Sequence, residues 1–336
     1  MSKLLAAFLL LAALTFPSAA RDLEVYFIDV EGGQATLVVA PSGQSLLIDA
    51  GWPGFAGRDP MRIVAAAREA GLKQIDYLLV THYHQDHAGG VPALAEQFPI
   101  RHFVDHGPSV ETGQSAQDLF TAYRRVREQG RHIVAKPGQA IPIEGLGIRI
   151  LSSAGRVLAA PPAGAGQANP LCAQTAPQPE DPGENSQSVG ILITYGKFRL
   201  LDLGDLTWNR ELELACPANQ IGPVDVYLTT HHGGDGSGPA ALVQALRPRV
   251  AVMNNGAEKG GTPATWQVVR DSPGLEDIWQ LHFSAEGGRA HNAPEKFIAN
   301  PQEPCRGFAL KLTAAEDGAF TLTNVRQGFS KRYNPR

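Results

Sequence analysis

The chain has 336 residues, of which 43% are hydrophobic and 18% are charged, so it can bury a large core in one big domain or two ordinary ones. This composition excludes a disordered, collagen-like or coiled-coil protein, and 36 glycines with 25 prolines favour a turn-rich fold containing strands over a helical bundle. The net charge of −4 argues against a protein that holds nucleic acid as a tight partner through bulk electrostatics.

The N-terminus has the pattern of a secretory signal peptide. Lys3 precedes an apolar run over 4–16, which is too short to span a bilayer comfortably, and residues 18–20 (SAA) form a small-residue cleavage site. We expect residues 1–20 to be removed on export to the periplasm or the extracellular space, leaving a single domain over 21–336 that has no membrane partner. The alternatives are a buried core helix and an uncleaved anchor.

The first half of the chain predicts short strands and tight turns that alternate with helices. A continuous apolar run at 77–81 is typical of a strand buried on both faces. The expected strands are 23–30, 35–40, 45–50, 77–81 and 102–105, and the expected helices are 59–70, 91–98 and 116–128.

The second half repeats this alternation after a loop over 158–186 that is rich in proline, alanine and glycine. The expected strands are 189–195, 198–202, 224–230, 250–253 and 278–282, the expected helices are 240–246 and 263–270, and the tail over 308–325 alternates like edge strands. Strand-rich stretches followed by helices in both halves predict two mixed sheets packed face to face with helices outside, an α/β (αββα) sandwich.

The stretch directly after the buried strand at 77–81 carries the chemistry. His82 and His84 are two residues apart and can project the same way, and Asp86 and His87 follow at the turn into a helix. Four metal-competent side chains within six residues form two pairs that can serve two adjacent divalent ions. Imidazole and carboxylate ligands suit zinc, with manganese or iron as alternatives.

The pattern His82-x-His84-x-Asp86-His87, followed by Gly89-Gly90, resembles the metal motif of the metallo-β-lactamase superfamily. Three further segments match that family's signatures in order, at 47–51 (LIDAG), 203–205 (LGD) and 230–233 (THHG). Residues 29–35 and the His-His-Gly are most similar to the branch that contains the domains of competence DNA-uptake proteins and choline-phosphate esterases. The resemblance implies an αββα fold with two metals between the sheets.

The resemblance also implies roles for individual residues. The expected metal ligands are His82, His84, Asp86, His87, Asp205 and His231, with the Asp205 carboxylate bridging the two ions. Either His231 or His232 completes the shell of the second ion, and the other faces the substrate as a hydrogen-bond donor or general acid. We give a slight preference to His231 as the ligand, which leaves Asp86 and His232 as the catalytic pair.

Four further residues are candidates for support or substrate contact. We expect Asp49 to orient a ligating imidazole, whereas His106 is either close to the site or a structural histidine. Lys259 either neutralises an anionic substrate or is an ordinary solvated lysine. The family's third histidine of the first metal site is missing from 183–188 (GENSQS), where Asn185 is the candidate replacement.

The three cysteines, Cys172, Cys216 and Cys305, allow at most one disulfide with a free thiol, and no Cys-x-x-Cys metal motif is present. We interpret them as incidental or structural.

Together these patterns predict an exported dimetal hydrolase that acts on phosphoesters, most of all phosphodiesters. The alternatives are hydrolysis of a lactam, lactone or thiolester, a non-catalytic binding module, and a nuclease that acts in competence. We expect the loop over 158–186 to lie over or beside the metal centre.

Overall fold

The computed structural model describes residues 22–161 and 165–336, so the expected signal segment at 1–20 lies outside the described residues. Seven α-helices occur within those ranges: α1 (Arg58–Glu69), α2 (Gln85–Ala88), α3 (Val91–Ala95), α4 (Gln114–Arg127), α5 (Trp208–Ala215), α6 (Ala240–Leu246) and α7 (Pro263–Arg270). None of these described helices is long and apolar enough to cross a bilayer.

Two large sheets are built from strands of both halves. The first sheet has the order β19-β18-β17-β1-β2-β3-β4-β5-β6, the second has the order β16-β15-β14-β13-β11-β10-β7-β8, and β9 pairs with β12 separately. The strands are β1 (Leu23–Phe27), β2 (Thr36–Val39), β3 (Ser45–Ile48), β4 (Ile75–Leu79), β5 (Ile100–Asp105), β6 (Arg131–Val134), β7 (Gly147–Ser153), β8 (Arg156–Val157), β9 (Gln167–Ala168), β10 (Gly190–Tyr195), β11 (Phe198–Asp202), β12 (Ala218–Asn219), β13 (Val226–Leu228), β14 (Val250–Met253), β15 (Asp277–His282), β16 (Ile298–Asn300), β17 (Leu310–Ala314), β18 (Phe320–Asn324) and β19 (Phe329–Tyr333).

Alternate residues of each central strand enter different cores, because successive side chains point to opposite faces of a sheet. In β1, Val25 and Phe27 join the core between the two sheets, whereas Tyr26 joins the core under α1, α3 and α4. In β11, Leu200 faces the central core and Leu201 faces a third core under α5, α6 and α7. The resulting four layers confirm the predicted αββα sandwich.

The carboxyl ends of the central parallel strands place the chemistry-bearing segments. Strands β3 and β4 are parallel in the first sheet, and β11 and β13 are parallel in the second. Asp49 follows β3, the motif over 82–87 follows β4, Asp205 follows β11, and the pair at 231–232 follows β13. Loops after parallel strands meet at one edge of a sheet, so these segments converge where the two sheets face each other.

The C-terminal tail departs from the expectation of edge strands. β17 is an interior strand that pairs with β1 on one side and with β18 on the other, and β19 forms the edge. The alternating burial of β17 and β18 arises because one face of each packs on the core. Alternation reports this one-sided burial and carries no information about how many neighbours a strand has.

The proline-rich loop is attached to the second half by a covalent link. A disulfide joins Cys172, in a 3₁₀ turn of the loop, to Cys216 at the end of α5, and Cys305 is unpaired among the described residues. This pairing agrees with the expectation of a single disulfide and one free thiol.

Candidate metal centre

The turn after β4 buries most of its polar side chains. His82 and His87 are fully buried, Asp86 is nearly so, and His84 precedes the short helix α2. Gly33 makes this packing possible, because a Cβ at that position would lie 2.4 Å from the Asp86 carbonyl oxygen. The backbone N–H of Gln34 donates to that same carbonyl oxygen at 3.0 Å, so the turn is attached to the loop after β1.

Asp49 orients His87. Its carboxylate lies 2.7 Å from His87 Nδ1 and also accepts the backbone N–H of Thr81 at 2.8 Å and the Thr81 hydroxyl at 2.7 Å. A proton held on Nδ1 by a carboxylate leaves the Nε2 lone pair free for a cation. Asp49 adopts a φ of 59°, a left-handed conformation that non-glycine residues rarely take outside functional segments.

The second half contributes Asp205 and the histidine pair through left-handed backbone. Gly204 has a φ of 57°, and a Cβ there would lie 2.8 Å from the Thr81 side chain, so only glycine brings Asp205 so close to the motif turn. His231 and His232 have φ values of 54° and 56°. This backbone aims His232 inward, where it is buried, and leaves His231 at the rim with a side chain that is 30% exposed.

Four side chains from the two halves surround one point. Asp205 Oδ2 lies 3.2 Å from His87 Nε2 and 3.4 Å from His232 Nε2, and Asp86 Oδ2 lies 3.2 Å and 3.1 Å from the same two nitrogens. One ligand atom from each of these four residues lies within 4.8 Å of all the others. The geometry therefore groups His232 with Asp86 and His87, whereas the sequence reasoning preferred His231 as the ligand.

The other predicted ligands lie around this group. His82 Nε2 is 3.9 Å from Asp205 Oδ2 and 3.0 Å from His84 Nδ1. His231 Nε2 is 3.6 Å from Asp205 Oδ2. Asp205 Oδ2 thus faces imidazoles of both the motif turn and the later pair, which is the position a bridging carboxylate requires.

The buried carboxylates of Asp86 and Asp205 favour a positive charge at the centre. Burial raises the pKa of the Asp205 carboxyl, but His232 and His87 outweigh burial and hold this pKa well below its ordinary value. Burial lowers the pKa of His87, yet Asp205, Asp86 and Asp49 raise it well above its ordinary value. Two ionised carboxylates facing imidazole nitrogens form a donor set that suits a divalent cation.

Unpaired buried oxygens support the same conclusion. Within the described ranges, neither Asp205 Oδ1 nor Asn185 Oδ1 has a hydrogen-bond partner. A buried oxygen without a donor costs about 1–3 kcal/mol unless another group satisfies it. A cation at the centre would satisfy Asp205, and Asn185 has the free carbonyl oxygen that its proposed role requires.

Glu184 is a functional candidate that sequence reasoning missed. Its buried carboxylate accepts the backbone N–H of Tyr83, between His82 and His84, at 3.0 Å, and it lies 2.9 Å from His106 Nε2. It also accepts the Ser109 hydroxyl at 2.9 Å and the backbone N–H of Val110 at 2.8 Å. A glutamate between a glycine and an asparagine in a loop carries no motif, so only a nearby buried partner could have revealed it.

Glu184 also explains where His106 lies. His106 is buried against the Tyr83 ring and the Glu184 carboxylate, away from the four-residue group. His106 therefore belongs to the structural support of the motif turn, which is the second of the two roles that its sequence position allowed.

Lys259 reaches the centre from the loop after β14. Its ammonium contacts Asp86 Oδ2 and lies 5.0 Å from the centroid of the Trp52 ring. The loop that carries Lys259 packs closely on the loop after β1. A Cβ added to Gly256 would lie only 3.0 Å from the Glu31 backbone. A cationic group is thus held against the Asp86 carboxylate.

The described part of the proline-rich loop lies next to His231. A cavity of about 180 Å³ is lined by the loop residues Gln178, Pro179, Asp181 and Asn185 and, from the opposite side, by His231. The Asn209 side chain accepts the backbone N–H of Gln178 at 2.8 Å and donates to the Gln178 carbonyl oxygen at 2.7 Å, which attaches this wall to α5. The loop therefore shapes the approach to His231.

Comparison with known proteins identifies relatives of this arrangement. Residues 28–168 match the family described as the Metallo-beta-lactamase superfamily, a stretch that includes the motif turn and ends before Asp205. ComE operon protein 3 of Bacillus subtilis is 25% identical over 256 residues, which cover 72% of this chain and 29% of that protein. Recombination protein 2 of Haemophilus influenzae is 27% identical over 236 residues, which cover 69% of this chain and 24% of that protein.

A shorter similarity connects the chain to a named hydrolase. Hydroxyacylglutathione hydrolase of Stenotrophomonas maltophilia is 33% identical over 104 residues, which cover 30% of this chain and 37% of that protein. The chain thus spans between a quarter and two fifths of the length of these relatives. These matches agree with the resemblance predicted from the motif and with the class of metal-dependent hydrolases.

Proposed function

We propose that this chain, which belongs to the metallo-beta-lactamase superfamily through residues 28–168, is an exported hydrolase that cleaves phosphoesters, most of all phosphodiesters, with two divalent metal ions. The observation that carries the proposal is the convergence of Asp86, His87, Asp205 and His232 within 4.8 Å of one another. Their nitrogen and oxygen atoms match the ligands of zinc, and manganese or iron are the alternatives.

The residues divide naturally between two ions. His82, His84 and Asp205 would hold the first ion, with Asn185 as a weaker fourth ligand. The second ion would be held by a different group, which consists of Asp86, His87, Asp205 and His232. Divalent cations at such a centre supply Lewis acidity and offset the negative charge of a phosphoryl group.

The protein side chains bind and orient the substrate. Lys259 is placed to pair with a phosphoryl oxygen, since its ammonium already contacts the carboxylate of Asp86. His231 lies at the rim and beside the cavity formed with the proline-rich loop, so its imidazole can donate a hydrogen bond to the leaving group. Asp49 and Glu184 hold the motif turn, so that His87 and His82 need not reorganise when substrate binds.

A cationic rim residue favours an anionic phosphoester over a neutral ring substrate. The net charge of −4 makes extended nucleic acid a poor tight partner, so a small phosphodiester suits the site better. Hydrolysis of a thiolester, lactone or lactam is the second candidate, because the chain shares 33% identity with a hydroxyacylglutathione hydrolase over 104 residues.

Export is supported by the cysteines as well as by the N-terminal pattern. The disulfide between Cys172 and Cys216 is of the kind that forms and persists in oxidising compartments. A mature chain that begins at Arg21, detected by N-terminal sequencing of the exported fraction, is the expected result. An exported chain that retains Met1 would contradict this part of the proposal.

A substrate panel tests the reaction. Purified protein reconstituted with zinc or manganese is assayed on a chromogenic phosphodiester, phosphomonoester, β-lactam and lactone and on a thiolester. We expect the highest kcat/KM on the phosphodiester, with loss of turnover on chelation and recovery when metal is restored. Turnover of the thiolester or a ring substrate alone would establish the second candidate, and metal-loaded protein inactive on every substrate would indicate a binding module.

Lys259→Met separates the substrate classes further. It removes the cation and keeps much of the apolar stem, so KM for the phosphodiester should rise while metal content stays constant. Arg270→Met, at the end of α7, is the matched control. An unchanged KM in Lys259→Met would leave Lys259 without a role in binding the anion.

A further inference from the structure

A second cluster of ligand-type side chains lies away from the metal centre. Asp29 follows β1 of the first sheet, His282 ends β15 of the second sheet, and Cys305 lies in the connection between β16 and β17. Asp29 and His282 are buried and Cys305 is half-buried. Three distant segments of the chain therefore bring an oxygen, a nitrogen and a sulfur ligand together.

The three ligand atoms are close to the spacing of a metal site. Asp29 Oδ1 lies 2.7 Å from His282 Nε2, the Cys305 thiol donates to Asp29 Oδ2 at 2.8 Å, and the Cys305 sulfur lies 3.9 Å from His282 Nε2. Tetrahedral zinc with bonds of about 2.0–2.3 Å places its ligand atoms about 3.5 Å apart. One ligand atom from each of the three residues lies within 4.8 Å of the other two, so side-chain rotations can bring the three atoms to that spacing.

Groups around the three ligands can stabilise a Cys305 thiolate and the tautomer of His282 that cation binding requires. The sulfur accepts the backbone N–H of Gly307 at 3.2 Å, a contact that stabilises a thiolate. In the described part of the chain, His282 Nδ1 has no hydrogen-bond partner, and its nearest carboxylate, that of Glu303, lies 3.8 Å away. A proton moved from Nε2 to Nδ1 would face Glu303 and free Nε2 to bind a cation.

We propose that Asp29, His282 and Cys305 form an additional cation site that takes Zn²⁺ or another thiophilic divalent ion, independent of the catalytic centre. Cys, His and Asp supply the three ligand types of zinc, and the partial exposure of Cys305 would allow water to take the fourth position. Binding forms metal–sulfur, metal–nitrogen and metal–oxygen contacts and breaks one S–H bond, whose proton passes to solvent. No electron transfer is involved.

Arg62 compensates the charge of this site. It donates to Asp29 Oδ2 at 3.0 Å and to Glu31 Oε1 at 3.1 Å, and Arg58 pairs with the other oxygen of Glu31 at 2.7 Å. Arg62 can remain on Glu31 when a cation occupies the Asp29 carboxylate. The bound ion would join the ends of β1 and β15, which belong to different sheets, beside the loop that packs against the Lys259 segment.

Cobalt(II) substitution tests the site in the full-length protein. The proposed catalytic ligands are all nitrogen and oxygen atoms, and Cys172 and Cys216 are joined in the disulfide, so a thiolate-to-cobalt charge-transfer band reports Cys305 alone. We expect the wild-type chain to show this band. Cys305→Ser should abolish the band and bind one equivalent of metal less, with unchanged turnover and disulfide content.

Two further measurements keep the test decisive. Asp205→Ala, which disables the catalytic centre, should retain the band, and His282→Gln should weaken it even though Cys305 is present. A wild-type chain that binds cobalt without the band, or a band that persists in Cys305→Ser, would overturn the proposal, whatever the outcome for the catalytic centre.

Discussion

The two halves of the chain supply the metal centre in different ways. In the first half, the ligand candidates lie within the six residues of the turn from His82 to His87, and buried carboxylates of Asp49 and Glu184 hold that turn. In the second half, Asp205 and His232 lie on separate loops, and left-handed backbone at Gly204 and at the histidine pair aims them inward.

The difference shows what each half needs from the rest of the fold. The motif turn follows directly from a buried strand, so its ligand candidates are close together because they are neighbours in the sequence. The left-handed histidines cost about 1–2 kcal/mol each, which packing must offset. Gly260 supplies part of that packing, because a Cβ there would lie 2.2 Å from the carbonyl oxygen of His232.

Asp205→Ala breaks the connection between the halves and should have the largest effect. Asp205 Oδ2 faces imidazoles from both regions at 3.2–3.9 Å, so its loss should lower the occupancy of both ions. We expect turnover to fall roughly 10³-fold or more, measured with metal content by elemental analysis. Asp271→Ala, at an exposed acid after α7, is the control, and full metal content in Asp205→Ala would show that this carboxylate does not bridge.

Glu184→Gln weakens the support of the motif turn alone. Glu184 Oε2 faces the Tyr83 N–H and His106, and Oε1 accepts from Ser109 and Val110, so an amide with a single oxygen must lose one of these two pairs of contacts. Metal affinity and turnover should therefore fall about 10–100-fold, as when the groups that orient a ligating histidine are lost. Titration calorimetry with zinc measures the affinity. Glu180→Gln, on the exposed surface of the same loop, should change neither quantity, and equal effects of the two variants would refute a positioning role.

Asn185→His tests whether the two ions are bound with unequal affinity. An amide oxygen is a poorer zinc ligand than an imidazole, so the ion held by His82 and His84 should leave first under a chelator in the wild-type chain. The histidine should tighten that site about tenfold or more, and Asn185→Ala should not. Two equally tight sites in the wild-type chain would show that another residue completes the first shell.

Glu211→Gln tests the support of the second-half loop and should have the smallest effect. Its carboxylate accepts the backbone N–H of Gly238 at 2.6 Å, and burial raises the pKa of Glu211 to about 8 from 4.5. The protonated form therefore contributes stability that is fully present below pH 4.5 and is lost as the pH rises through 8.

Replacing the carboxyl with an amide removes this loss. Urea unfolding at pH 5.5 and at pH 8.5 measures how far the free energy of unfolding falls between these two pH values. We expect this fall to be smaller in Glu211→Gln than in wild type by at least about 1.4 kcal/mol, the free energy that corresponds to one pKa unit. Glu213→Gln, exposed on the same helix, should behave as wild type. Identical pH dependence in all three proteins would show that Glu211 ionises normally.

The sequence was most informative where the relevant contacts are local. The strand before the motif, the spacing of its four ligand candidates and the order of the later signatures were all readable. The αββα fold is confirmed, and residues 28–168 match the superfamily that the motif resembles. The expectation that the tail over 308–325 forms edge strands was wrong for β17 and for β18, because alternation does not report how many neighbours a strand has. The signal segment and the assigned catalytic roles stay predictions.

Tertiary structure decided the choice between equivalent residues. His231 and His232 are adjacent and chemically identical in the sequence, and only the left-handed backbone after β13 buries one and leaves the other at the rim. Glu184 and Cys305 contact residues that are 101 and 276 positions away in the sequence, so no local sequence pattern predicts these contacts. The sequence by itself determined the elements, the metal motif and the class of chemistry, since these follow from spacing along the chain. The packing of the two sheets decided which side chains share a site, because that depends on where distant strand ends meet.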